Sequence, residues 1–456
     1  MGLKNIFLRS KPTFLIQSCN VYQKRSLSLV SFDDRRITVS FPEDVGTGDK
    51  AEEDLEADHT PQTQVTFSTI FLRDACESPE SVDVSTRQKS FTTAQVAKNL
   101  KVHGEPSIVR KNNQDHLIVQ WKHDDGSTQK SSFSEQVLKK YKDFPSRMAG
   151  KFFMEDKIYW SEKELVKDMK LLNLDYHAFL EGGSTFSKAL KALNKHGICF
   201  VNKMDDPLQN PKTQDLCEAN LALWPVAKVA KNFGYIKPTF YGTLFDVKND
   251  KNAKNIANTN KFLPLHMDLC YYESPPGLQL LHFIKNSTLG GENVFADSFL
   301  AVSKIRKEDS EAYEALKKVP ITFHYKNNNE YYYYLRPLIV EDPHLVDNKS
   351  GQPLVKEVNY SPPFQGPFEV NITSTEDPKL FDDFIRGMIM FEDAINDRAN
   401  QYIVKTPENS CVIFDNRRVL HSRLEFSDCN GGDRWLMGCY VDGDSFRSRL
   451  RTHMSP

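Results

Sequence analysis

The segment Phe262-Leu-Pro-Leu-His266-Met-Asp268-Leu-Cys-Tyr-Tyr-Glu-Ser-Pro-Pro276-Gly277 sets a His-x-Asp pair on a short, mostly apolar run. Such a run reads as an extended strand, and residues i and i+2 of a strand point to the same side. The imidazole of His266 and the carboxylate of Asp268 can therefore meet one metal ion. Two histidines and one carboxylate with open positions form the donor set of non-haem Fe(II) oxygenases. The remaining sequence must then supply a second histidine, a co-substrate clamp and a substrate pocket.

His-x-Asp alone is a weak signal. It occurs again at His123-Asp-Asp125, between Lys122 and Gly126, where the polar surroundings predict a solvated turn. The pair at His266 is different, because apolar neighbours make an uncompensated carboxylate costly. A metal compensates it, and so would a nearby Arg or Lys. The segment Asp415-Asn-Arg-Arg-Val-Leu-His421-Ser-Arg follows a predicted strand, and Arg434 opens the next one. Iron on His266, Asp268 and His421 leaves room for a 2-oxo acid, bound through its keto oxygen and first carboxylate. The far carboxylate needs a planar, permanently charged, bidentate donor, which Arg offers and Lys does not. The alternative for Arg434 is a structural salt bridge.

Composition limits the other classes. The chain has 456 residues, with 59 basic against 61 acidic, so it is not a strongly basic nucleic-acid binder. No apolar run approaches the ~20 residues of a membrane-spanning helix. The cysteines are scattered and form no Cys-x-x-Cys pair, which predicts reduced thiols rather than a disulfide framework. Residues 1–32 contain no Asp or Glu and are rich in Lys, Arg and Ser, which predicts a mitochondrial presequence. A basic tail is the alternative. The acidic stretch after it predicts a linker over 33–62.

Beyond the linker, strand-like runs at 66–72 and 117–121 predict a small β-rich N-terminal domain over 63–145. A catalytic domain is expected over 165–452. The pattern there predicts helices over 176–195, interrupted at Gly182-Gly183, and over 213–233, broken or kinked at Pro225. Further helices are predicted over 301–318 and 377–399. The last would turn Leu380, Phe384, Ile385, Met388 and Ala394 inward. Strands are predicted at 197–201, 410–416 and 434–441. Many short strands with a few covering helices predict a mainly β fold, a double-stranded β-helix or jelly roll with helical buttresses.

At these residues the sequence resembles the γ-butyrobetaine and trimethyllysine hydroxylase group of Fe(II)/2-oxoglutarate dioxygenases, which share the taurine-dioxygenase (TauD) fold. The resemblance runs over 67–450. It is carried by Phe71-Leu-Arg-Asp74, Thr239-Phe-Tyr-Gly242, His266-Met-Asp268, Ser274-Pro-Pro-Gly-Leu-Gln-Leu-Leu-His282, Leu289-Gly-Gly291, Phe414-Asp-Asn416, Val419-Leu-His421 and Arg434 to Tyr440. The chain also resembles a fungal offshoot, the altered-inheritance-of-mitochondria proteins. The resemblance implies iron on His266, Asp268 and His421, 2-oxoglutarate on Arg434, Asn255 and Asn293, and a substrate wall of Tyr241, Phe245 and Tyr440. It also implies O2 as co-substrate, ascorbate as auxiliary reductant, a homodimer and a mitochondrial, matrix location.

The sequence departs from that group in two places. Its relatives hold a trimethylammonium group in an aromatic cage by cation–π attraction. Here Tyr241 and Tyr440 match, but Phe245 replaces a tryptophan and Asn258 a tyrosine. Leu269 replaces another tyrosine, and Ser361-Pro362 replaces a polar pair near the substrate carboxylate. The relatives' N-terminal domain also holds zinc on a Cys-x-Cys-x-x-Cys cluster, whereas this chain has Cys76, Ser78 and Ser81 there. One thiolate does not make a closed tetrahedral site, so zinc is not expected. Three functional expectations follow: a dioxygenase acting on a small amine or amino-acid derivative, a true γ-butyrobetaine hydroxylase, or a non-catalytic binding or regulatory descendant of the fold.

Overall fold

The computed structural model describes residues 26–42, 62–97, 100–123, 126–152, 157–248, 256–347, 350–369, 377–427, 429 and 431–454. The chain divides into two compact units, Met1–Arg147 and Met148–Pro456. In the first unit, Ser28–Phe32, Arg36–Pro42 and Gln62–Ser68 form a three-stranded antiparallel sheet. Ile37, Val39 and Phe41 alternate inward and join Phe67, Leu117, Val119, Trp121 and Phe133 in one core. The linker expected over 33–62 is therefore corrected at 36–42, and the presequence expected over 1–32 overlaps a paired strand at 28–32. The acidic composition of 43–58 obscured the period-two pattern just before it. The rest of both segments, apart from residues 26–35 and Gln62, lies outside the described residues.

The second sheet of this unit is centred on Gln114–Lys122, which pairs with Lys101–Val102, Ser107–Lys111 and Thr128–Ser134. Cys76, Ser78 and Ser81 lie in one hydrogen-bonded cluster. Cys76 Sγ donates to Ser78 Oγ (3.3 Å), and Ser78 Oγ donates to Ser81 Oγ (3.3 Å). Arg73 Nη1 (3.1 Å) and Gln129 Nε2 (2.7 Å) also donate to Ser81 Oγ.

The second unit is a double-stranded β-helix. Its principal strands are β1 (Asn173–Asp175), β2 (Ile198–Asn202), β3 (Phe245–Lys248), β4 (Leu263–His266), β5 (Leu278–Asn286), β6 (Asn293–Asp297), β7 (Gln401–Val404), β8 (Ser410–Asp415), β9 (Val419–Arg423) and β10 (Arg434–Val441). The major sheet has the order β3-β10-β5-β8-β2-β1, and the minor sheet β4-β9-β6-β7. Among these strands only β1 and β2 pair in parallel. Strands β8 and β10 read as continuous apolar runs because both of their faces are buried.

Helices α1 (Gly183–His196) and α2 (Pro225–Phe233) cover one face of the major sheet, with Leu190, Leu193, Val229 and Phe233 against Ile413 and Met437. Helices α3 (Ser298–Glu308), α4 (Ser310–Lys318) and α5 (Pro378–Asn396) belong to a second core with Phe299, Val302, Leu316, Phe384 and Phe391. Three local expectations change. Pro225 starts α2 at its first position instead of kinking a longer helix, since its missing N–H is unneeded there. Asp309 ends α3 and caps α4 through a bond from the Ala312 N–H (2.9 Å). Ile385 faces solvent, and α5 instead buries Phe384, Gly387, Phe391 and Ile395. Gly387 lets α5 approach α4, because a Cβ there would lie 2.8 Å from Leu316 Cγ.

His282 on β5 pairs with Cys411 and Met437, is fully buried, and has no partner for either ring nitrogen among the described residues. Burial pushes its pKa from 6.5 down to about 4, against the opposing charge of Asp206. The folded state keeps this imidazole neutral while the unfolded chain protonates it, so stability falls as pH drops from about 6.5 towards 4. His282→Leu is expected to flatten that acid limb, by up to about 3 kcal/mol at its lower end. Urea unfolding at pH 7 and pH 4.5 measures this, and parallel behaviour of the variant and the parent would refute it.

Candidate metal centre

Cross-strand pairing between β4 and β9 places His266 directly opposite His421, with ring centroids 4.2 Å apart. Asp268 reaches them by a different route from the one its spacing suggested. Strand β4 ends at His266, and Leu269 takes a left-handed conformation (φ +57°), so a turn rather than a continuing strand brings the carboxylate back. Asp268 Oδ1 then lies 3.3 Å from His266 Nε2. One ligand atom from each of His266, Asp268 and His421 lies within 4.8 Å of the others.

Several bonds hold the turn. The Asn416 side chain accepts from the Asp268 N–H (2.9 Å) and donates to the Asp268 carbonyl (2.9 Å). Met267 N–H donates to the Tyr360 carbonyl (2.8 Å). Arg336 donates from Nε to the Cys270 carbonyl (2.9 Å) and from Nη2 to the carbonyls of Tyr272 and Glu273.

The electrostatics call for a cation. His266 Nδ1 sits 2.8 Å from the Pro264 carbonyl, which fixes the proton on Nδ1. Nε2, the ring atom left free to ligate, then faces Asp268 Oδ1. Burial raises the Asp268 pKa, but the contact with His266, the charge of His421 and the Tyr440 hydroxyl outweigh it and hold the group below the usual carboxylate range. Burial, followed by the proximity of His266, pushes His421 down to about 3. His421 Nδ1 is buried with no partner among the described residues. Two imidazoles and one carboxylate thus converge, with a backbone carbonyl orienting one ring, which fits a divalent iron donor set.

A cavity of about 220 Å³ opens on this cluster. Arg434, at the start of β10, lines it and is 5% exposed. Its Nε has no hydrogen-bond partner, and no carboxylate lies within ion-pair distance of it among the described residues. Burial, and then Arg423, lower its pKa to about 9. The salt-bridge alternative for Arg434 therefore has no support among the described residues. Asn293 lines the same cavity and donates to Thr406 Oγ1 (3.0 Å). Asn255 lies outside the described residues.

Arg423 was not among the residues singled out from sequence, yet it lines the cavity with His421 two positions earlier on β9. The alternation of a strand was the available signal. Its Nη1 donates to the Ala257 carbonyl (2.7 Å), its Nη2 to the Lys261 carbonyl. Phe426 lies beneath both arginines, 5.1 Å from Arg423 and 5.7 Å from Arg434.

The expected aromatic residues do assemble. The rings of Tyr241 and Phe245 are 6.4 Å apart, and those of Phe245 and Tyr440 stack at 5.0 Å. Phe245 lies over Gly438, its cross-strand partner, where a Cβ would come within 2.4 Å of the ring. Tyr271 and Phe364, not singled out from sequence, complete the wall at 5.2 Å from each other.

A family model described as taurine catabolism dioxygenase TauD, TfdA family matches residues 163–440. The chain is 30% identical to Dioxygenase str8 of Strobilurus tenacellus, across 98% of this chain and 97% of that protein. It is 33% identical to Probable oxidoreductase AIM17 of Saccharomyces cerevisiae, across 85% of each. It is 29% identical to the Gamma-butyrobetaine dioxygenase of a Pseudomonas species, across 84% of this chain and 89% of that protein.

Asn416→Ala is expected to destabilise the protein by about 1–3 kcal/mol, because it leaves two part-buried backbone groups of Asp268 without partners. Chemical denaturation measures this. A change below about 0.5 kcal/mol, the usual range for an unimportant surface site, would show that the turn holds without Asn416.

Proposed function

The chain belongs to the TauD, TfdA dioxygenase family and is an Fe(II)/2-oxoglutarate-dependent oxidoreductase, and from this premise we propose that it hydroxylates a small amine or amino-acid derivative at the cavity above His266 and His421. In this reading His266, Asp268 and His421 hold the iron. Arg434 grips the far carboxylate of 2-oxoglutarate, with Asn293 and Asn255 beside it. The observation that carries the proposal is the convergence of a two-histidine, one-carboxylate set with a buried arginine that has no acidic partner among the described residues.

Bound iron supplies O2 activation coupled to oxidative decarboxylation of 2-oxoglutarate, giving succinate, CO2 and hydroxylated product. The chain's residues do the rest. Arg434 is already desolvated, so a carboxylate reaching it forms an ion pair in a medium that screens little. Asn416 and Arg336 fix the turn that carries Asp268. The wall of Tyr241, Phe245, Tyr271 and Phe364 excludes water from the reacting carbon.

The same wall bears on the substrate. Among the described lining residues, Arg423 and Arg434 are the only cations, and both sit over Phe426. These residues offer no further cation to hold a substrate carboxylate, and Phe245 and Asn258 replace two cage aromatics. These features weigh against γ-butyrobetaine itself and favour a smaller amine or a neutral derivative. A non-catalytic role is not favoured, because a pure binding module needs neither the ligand set nor the clamp. A mitochondrial, matrix location is proposed from the acid-free, Lys-, Arg- and Ser-rich segment over 1–32. Ascorbate and a homodimeric assembly rest on the family likeness alone.

Arg434→Met is expected to raise the KM for 2-oxoglutarate by roughly 30-fold or more, the usual effect of removing one partner of a buried charge pair. Iron uptake should be kept. Succinate formation under Fe(II) and O2 gives the KM, and an unchanged value would remove Arg434 from the co-substrate site.

A further inference from the structure

The ring of Tyr440 matches a cage position, but its hydroxyl is engaged elsewhere. Tyr440 is 3% exposed, and its OH donates to Asp268 Oδ2 at 2.7 Å. Gln279 Nε2 donates to the same oxygen at 2.8 Å. Both residues are anchored in the major sheet, where Gln279 of β5 and Tyr440 of β10 are cross-strand partners. Two donors therefore occupy Oδ2, while Oδ1 faces His266 Nε2 at 3.3 Å.

We infer that Tyr440 is a positioning residue of the metal centre, whose hydroxyl, with Gln279, reserves Asp268 Oδ2 so that the carboxylate offers only Oδ1 to the metal. This rests on the assignment of the site to iron and 2-oxoglutarate. A carboxylate with both oxygens free can chelate a cation and occupy a position that the oxo acid and O2 need. Holding one oxygen with two charge-assisted hydrogen bonds prevents that rotation. The arrangement also divides the residue in two. A substrate meets the ring face of Tyr440, stacked on Phe245, and finds its hydroxyl already engaged.

The test is anaerobic calorimetry of Fe(II) binding to the full chain, comparing the parent with Tyr440→Phe and Tyr440→Leu, and thermal unfolding of each apo form. Tyr440→Phe keeps the ring and its stack and removes only the hydroxyl. Its affinity for Fe(II) is expected to fall about tenfold, the lower end for loss of a group that orients a metal ligand. Its unfolding midpoint should stay close to that of the parent. Parental affinity in Tyr440→Phe with a loss only in Tyr440→Leu would reduce Tyr440 to a packing residue and overturn the inference. Should Tyr440→Phe fail to fold, Gln279→Leu removes the other donor. A loss of about tenfold there supports the inference, and parental affinity overturns it. Absence of Fe(II) binding in the parent would instead overturn the iron assignment, and this inference with it.

Discussion

The Asn416 side chain joins two stretches far apart in sequence through a pair of hydrogen bonds to the backbone of Asp268. Much of the site depends on this contact. Asn416 opens the turn between β8 and the strand β9 that carries His421, and Asp268 sits on the turn after His266. The amide therefore ties the turn that carries Asp268 to the segment leading into His421, in addition to the β4–β9 pairing. A turn with a left-handed residue at Leu269 has little regular structure of its own, so side chains must satisfy its backbone groups. Asn416 and Arg336 do this.

The second constraint is charge in a dry place. His266, Asp268, His421, Arg423 and Arg434 share one cavity, and the two arginines lack acidic partners among the described residues. Burying such groups is unfavourable unless something compensates them. A divalent cation on the triad and a dicarboxylic oxo acid between metal and arginine would neutralise both ends together. Catalytic need and electrostatic cost point to the same two ligands.

Much of this was legible in the chain, for identifiable reasons. His266, Asp268, His421 and Arg434 stand in short motifs beside buried strands, where a charged group must be offset by a ligand or an opposite charge. The β-helix fold followed from many short strands and from the continuous apolar runs at 410–416 and 434–441. What stayed hidden depends on the third dimension. Asp268 reaches the site by a turn, which the His-x-Asp spacing does not show. Tyr271 and Phe364 read as ordinary aromatics until the wall assembles. The hydroxyl of Tyr440 turns to a carboxylate 172 positions away. In the N-terminal unit, the alternation of Ile37, Val39 and Phe41 was overshadowed by the acidic stretch that follows it. Ile385 was misplaced because helical spacing alone leaves the edge of a buried stripe undecided.

The most direct test of the central claim is an anaerobic titration of the folded protein with Fe(II) and then 2-oxoglutarate, following visible absorption. A weak metal-to-ligand band that needs both components and is lost in His421→Ala is expected. A folded protein that takes up neither metal nor oxo acid, and shows no band, would contradict it.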